Sequence, residues 1–181
     1  MRFIYHRVPD NLQGNTLYPL NMLKDVYPGI YTKAASKYDG REHVPKQRIP
    51  LFGDCLWNDV LFFTAVDPAL LLDERRKAGF TDFKKPQQFF KIDPRALDQS
   101  KLGVFLFQPW VDAHNYTAES FTNYRYDDLA TYATIPQETK DYFAAESNAG
   151  APYIKLLWRY IPHILYRGEI PIAETEIIIV S

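Results

Sequence analysis

Residues 48–64, Arg-Ile-Pro-Leu-Phe-Gly-Asp-Cys-Leu-Trp-Asn-Asp-Val-Leu-Phe-Phe-Thr, set polar side chains inside the most apolar stretch of the chain. Arg48, Asp54, Asn58, Asp59 and Thr64 interrupt a run that otherwise has the character of a buried strand. A buried polar group costs roughly 1–3 kcal/mol when unpaired, so either partners satisfy these residues or they line a pocket. Folding alone rarely asks for that mixture.

The segments on either side have readable periods. Residues 2–8 form an expected strand with Phe3, Tyr5 and Arg7 on one face and Ile4, His6 and Val8 on the other, ended by Pro9. Leu17, Leu20, Leu23 and Val26 have helical spacing closed by Pro28-Gly29, and residues 30–38 make a second short helix. The polar stretch 38–48 reads as an exposed loop that folds over a site. Residues 67–79 combine an acidic start, a basic finish and a terminal glycine, the pattern of a helix. Two Phe-rich strands are expected at 88–93 and 102–108, then a long surface loop at 112–126. A short helix from Asp127 and a longer one at 136–148 with Pro at its first turn precede strands at 154–160, 164–166 and 176–180. With no repeat, low-complexity tract or linker, the 181 residues read as a single domain that buries about two thirds of its unfolded surface.

Composition removes several classes of function. Lys+Arg number 21 against Asp+Glu 22, so the net charge of -1 writes no broad grip on nucleic acid into the whole chain, although a local basic groove remains open. One cysteine, Cys55, excludes an intramolecular disulfide and a cysteine-rich zinc site; inside an apolar run it has the usual setting of an inert core residue rather than a nucleophile. The start lacks the apolar core of a signal peptide and no run approaches the length of a membrane helix, so a cytosolic (cytoplasmic) protein without membrane partner is expected. His6, His43, His114 and His163 show no i, i+4 pairing and no bracketing carboxylate, so no metal is expected. His6 and His163 stand where both can face one cleft, against the commoner fate of a satisfied strand-end histidine. No P-loop, nucleophile elbow or dinucleotide-binding glycine motif is present. Glu169, Glu174 and Glu176 suit a ribose hydroxyl or a cationic sugar carbon if they edge a cleft; glutamates opening a terminal strand are usually solvated.

Taken together, the segments resemble the ADP-ribosyltransferase superfamily, most nearly its DarT-like branch that modifies DNA. Ile4-Tyr5-His6 is similar to the first-strand motif, and Leu20-Asn-Met-Leu23 to the helix behind it. Arg48-Ile49 followed by Gly53-Asp-Cys-Leu-Trp-Asn-Asp-Val-Leu-Phe-Phe63 is similar to the DarT-type arginine and its following strand, and His163-Ile-Leu-Tyr-Arg-Gly-Glu-Ile-Pro-Ile172 to the last motif. The resemblance implies an α+β single domain with a split, strongly bent mixed or antiparallel sheet, flanking helices, and NAD as substrate in the cleft. It further implies that His6 binds the ribose or nicotinamide part, that Tyr5 or Phe63 stacks on nicotinamide with Thr64 beside it, and that Arg48 meets phosphate or assists transfer. Asn58 and Asp59 brace the loop in this reading.

One position departs from the family. Where its members place a catalytic glutamate, this chain has His163, which offers a base toward an acceptor but no permanent negative charge. The other register, with Glu174-Thr-Glu176 as a toxin-type Glu-x-Glu motif, keeps a carboxylate at the cost of leaving almost no chain beyond it. The leading expectation is a NAD-dependent mono-ADP-ribosyltransferase acting on a nucleic-acid or protein acceptor. Alternatives are a non-catalytic NAD- or ADP-ribose-binding domain, chemistry like that of RNA 2'-phosphotransferases, and a protein-interaction module using the aromatics between Trp110 and Tyr132.

Overall fold

Strand β1 (Ile4–Arg7) has an interior place in a seven-stranded sheet in the computed structural model, which describes residues 2–80, 86–107, 116–151 and 156–181. On one side it pairs with β6 (Gln87–Ile92), which carries the edge strand β11 (Glu176–Val180). On the other side follow β5 (Leu61–Thr64), β9 (His163–Tyr166), β7 (Leu102–Phe105) and β8 (Phe121–Asn123). Every pairing is antiparallel, so of the two sheet types expected the antiparallel one forms. Two short ribbons stand apart: β2 (Thr16–Leu17) with β10 (Ile170–Pro171), and β3 (Arg48–Ile49) with β4 (Cys55–Leu56). Helices α1 (Leu20–Val26), α2 (Pro28–Ala35), α3 (Pro68–Lys77), the single turn α4 (Leu129–Tyr132) and α5 (Gln137–Asn148) flank the sheet and complete one α+β domain.

Strand alternation divides the core between the two faces. Ile4, Phe63, Phe90, Val104 and Ile164 pack together with Leu17 and Leu129. On the opposite face Phe105 and Leu165 meet Ile49, Cys55 and Val60, while Phe89 and Val180 take Leu72 of α3. Leu71 joins α3 to Phe143 of α5 and to Ile161. Each such side chain contributes about 1.5–3 kcal/mol by leaving water. Helix α3 follows its sequence pattern: the Asp67 carboxylate accepts the Ala69 N–H at 2.9 Å, Pro68 opens the first turn, Arg75, Arg76 and Lys77 close the last, and Gly79 leaves at φ +96°.

Several expectations need correction. Residues 48–64 are not one strand but β3, a 3-10 turn at Pro50–Phe52, β4, a second turn at Trp57–Asp59, and β5. Gly53 at φ +70° forces the first break, and the Asp59 carboxylate anchors the second by accepting the Leu56 N–H at 2.7 Å. The helix expected over 17–26 starts at Leu20, because Pro19 takes the cap position and Thr16–Leu17 pair with β10 instead. In the expected loop 112–126, residues 112–115 lie outside the described residues, and Phe121–Asn123 form β8 against β7. The strand expected at 102–108 stops at Phe105 as Phe107 turns to φ +49°; residue 108 is outside the described residues. Of the strand expected at 154–160, residues 157–160 are turn, with the Ile161 N–H donating back to the Trp158 carbonyl at 3.2 Å; residues 154–155 are outside the described residues.

Candidate functional site

Strands β1 and β5 meet through one register pair, Tyr5 opposite Thr64. Beyond it the ladder gives way to a side chain: Nδ1 of His6 donates to the Phe62 carbonyl at 2.7 Å. A carbonyl can only accept, so the proton sits on Nδ1 and Nε2 is left as an acceptor in the neutral ring. At this opening lies a cavity of about 470 Å³. His6 and Phe62 line it together with His163 from the start of β9, Tyr18, Tyr27, Tyr38, Trp57 and Lys37. Leu20 and Leu23 of α1 and Ile30 and Ala34 of α2 line it as well, and neither helix fully buries any residue. Their apolar face looks into the cavity rather than into a packed core.

The polar residues that interrupt segment 48–64 hold the wall of this cavity. The Tyr38 hydroxyl donates to Oδ1 of Asn58 at 2.7 Å, and Asn58 is only 5% exposed. Oδ1 of Asp59 accepts from Asn21 of α1 at 2.7 Å while its other oxygen caps Leu56. One buried amide and one carboxylate thus tie α1, the end of the α2 segment and the 57–59 turn together, which removes the cost of leaving them unpaired.

The cavity is electrostatically spare. Its lining holds Lys37 and two histidines and, among the described residues, no Asp or Glu. Burial pushes the His6 pKa below the usual imidazole range, the hydrogen bond to Phe62 opposes the shift, and the Lys37 ammonium adds to it. Burial likewise lowers His163 to about 4, opposed by its hydrogen bond with the Pro162 backbone. Both rings are therefore neutral at pH 7. Aromatic rings surround His163, with Phe62, Phe105 and Phe107 centroids each 6.0 Å away. Phe107 at φ +49° and Tyr160 at φ +64° are bulky residues in the left-handed region, with ring centroids 5.7 Å apart beside His163.

A pH dependence of stability follows from His163. Its folded pKa of about 4 lies below the unfolded value near 6.5, so the unfolded chain takes up the proton first. The contribution is fully present above pH ~6.5 and is lost as pH falls from there toward about 4. Urea midpoints between pH 8 and 4 should decline through that window, and less steeply in His163→Gln. Identical slopes for the two proteins would contradict the assignment.

The remaining expected site residues lie elsewhere. Phe63 is 1% exposed in the core, because alternation along β5 sends Phe62 to the cavity and Phe63 inward, where its ring lies 5.3 Å from that of His6. Tyr5 is buried and absent from the lining, and burial raises its pKa. Thr64 is buried with Oγ1 accepting the Val66 N–H at 3.0 Å, a turn contact. Arg48 is exposed, paired with Asp54, and outside the cavity. As an exposed ion pair, it contributes little to folding: Arg48→Ala should leave stability within about 0.5 kcal/mol, as checked by urea unfolding. Cys55 is buried and its thiol is pushed up to about 11, which removes a thiolate nucleophile. Glu176 pairs with Lys91 at 3.0 Å, two strands from β1, and neither it nor Glu169 or Glu174 lines the cavity. His43 is exposed on the loop, and His114 and Trp110 lie outside the described residues.

Lys37, Tyr18, Tyr27 and Trp57 were not singled out by sequence as site residues. The signal available was an aromatic on or beside each short helix, which sequence alone reads as core. Among the described residues, no group of three or more His, Cys, Asp or Glu side chains is placed to hold a metal, and no helix is long and apolar enough to cross a membrane. No protein-family model, curated protein or solved structure matches the chain.

Proposed function

We propose that the cavity between β1 and β5 binds NAD and that the protein transfers ADP-ribose from it to a nucleic-acid or protein acceptor. The observation that carries this reading is that His6 and His163 both line one aromatic cavity, beside the single register pair that joins β1 to β5. Support also comes from the order of elements: a first strand bearing histidine, helices and a loop, an apolar strand followed by a helix, and a late strand leading to Ile170-Pro171. Tyr18, Tyr27, Tyr38 and Trp57 offer stacking faces for a planar ring. Nε2 of His6 accepts from a ribose hydroxyl or the carboxamide. In transfer, the bond between the ribose C1' and nicotinamide breaks with its electron pair leaving on nicotinamide. The acceptor oxygen or nitrogen then attacks C1' and gives up its proton to neutral His163. The products are ADP-ribosylated acceptor and nicotinamide.

The absence of a carboxylate from the described lining favours one second reading, a domain that binds NAD or ADP-ribose without transfer. Intact-mass measurement after incubation with NAD and either mixed nucleic acid or lysate separates the two. Addition of ADP-ribose to an acceptor with release of nicotinamide supports the transferase. Thermal stabilisation by NAD or ADP-ribose without addition favours the binding domain, and indifference to every nucleotide overturns both.

A further inference from the structure

A second cavity, of about 530 Å³, adjoins the first and is lined by Arg7, Asp10, Lys33, Ser36 and Lys37 among others. Pro9, Asn11, Ala34 and Lys37 line both, so the two spaces are neighbours that share a wall, and Lys37 belongs to each. The lobes differ in chemistry. The first is aromatic and nearly uncharged. The second carries three cations against one carboxylate, Asp10, and that carboxylate pairs with Arg7 at 3.1 Å. Lys33 and Lys37 stand one helical turn apart, and neither has a carboxylate at ion-pair distance among the described residues. The Lys37 ammonium lies 4.9 Å from the centroid of the Tyr38 ring, and that ring is held by Asn58. Lost hydration and the Arg41 guanidinium lower the Lys37 pKa, the direction that an incoming anion would reverse.

We infer that this basic lobe is a diphosphate subsite, with Lys37 at the junction and Lys33 beside it, so that a nucleotide ligand stacks its planar part in the aromatic lobe and lays its phosphates in the basic one. The inference rests on reading the aromatic lobe as a nucleotide site. It gives the phosphate-binding role, which the resemblance offered to Arg48, to a pair of lysines that line the second cavity. A lysine suits the task as a point charge with three donors, and two of them match the two phosphates of a dinucleotide.

The test is titration of the full chain with ADP-ribose, ADP, adenosine and inorganic pyrophosphate, for the natural protein, Lys37→Ala, Lys37→Arg and Lys33→Ala/Lys37→Ala. Lys37→Ala should weaken ADP-ribose and ADP by roughly tenfold to a hundredfold, with adenosine unchanged. The double variant should lose pyrophosphate binding, and Lys37→Arg should recover part of the loss. Because adenosine has no phosphate, an equal loss for adenosine would show that Lys37 only shapes the aromatic lobe and would overturn the inference. So would unchanged ADP affinity in the double variant, or a natural protein that binds neither ADP nor pyrophosphate. Binding of ADP-ribose through the lysines without transfer leaves the subsite standing and removes the transferase reading. Transfer that is indifferent to both lysines does the reverse.

Discussion

Phe63→Ala is expected to lower the unfolding free energy by about 3–5 kcal/mol, a large share of the 5–15 kcal/mol typical of one domain. The side chain is 1% exposed and belongs to the cluster built from Ile4, Leu61, Phe90, Val104 and Ile164, so its removal opens a hole at the join of β5 and β9. Neighbouring strands cannot collapse into that hole without disturbing the ladder on both sides, which places the cost toward the upper end. Urea unfolding followed by tryptophan fluorescence measures it. Phe63→Leu keeps most of the volume and should cost no more than about 1.5 kcal/mol, with NAD affinity within about twofold of the natural protein. If Phe63→Leu folds normally and loses NAD, the ring stacks on ligand as the resemblance implied, and the wall of the cavity is misassigned. Phe62→Leu is the matching probe: it lines the cavity, is only partly buried, and should affect ligand more than stability.

How much was legible depends on whether the information was local. Helix α3 was readable because Asp67, Pro68, the basic last turn and Gly79 each act on backbone within a few residues. β6 was readable as a Phe-rich apolar run and β11 as a run of β-branched residues. β8, β2 and β10 were not, since two or three residues carry no period and become strands only through distant partners: Phe121 opposite Phe105, Leu17 opposite Ile170. Segment 156–160 misled for the opposite reason. Leu157 and Trp158 pack against the Phe89 and Val180 cluster from a turn, and a half-buried turn can be as apolar as a strand. The same ambiguity hid the cavity. Leu20, Leu23 and Ile30 have the spacing of core positions, and a cavity wall and a core share one code.

The polar seam in segment 48–64 was the better guide, because its message was a cost that must be met somewhere. Asn58 and Asp59 met it with Tyr38, Asn21 and the Leu56 backbone, all of which wall or brace the cavity. Asp54 met it six residues back with Arg48, on the surface, which explains why Arg48 carries a motif resemblance and lies outside the cavity. A pairing partner that close in sequence was visible.

For His6, the largest functional effect is expected, and two of its atoms do separate work. Nδ1–H bridges β1 to the Phe62 carbonyl, while Nε2 is left as the acceptor of a ring that lines the cavity. His6→Ala removes both, leaves the carbonyl to cavity water, and should cost about 1–2 kcal/mol of stability together with NAD affinity reduced by about tenfold or more. His6→Asn separates the roles, because the Asn amide nitrogen sits near the position of Nδ1 and nothing replaces Nε2. This variant should unfold at nearly the natural urea midpoint and still lose NAD binding and nicotinamide release as severely as alanine. His6→Gln reaches the Nε2 position instead and should show the converse, with weaker stability and partial recovery of binding. Should His6→Asn bind NAD like the natural protein, the imidazole serves only to tie β1 to β5 beside their single register pair, and the ligand must be held by the aromatic wall and Lys37 alone.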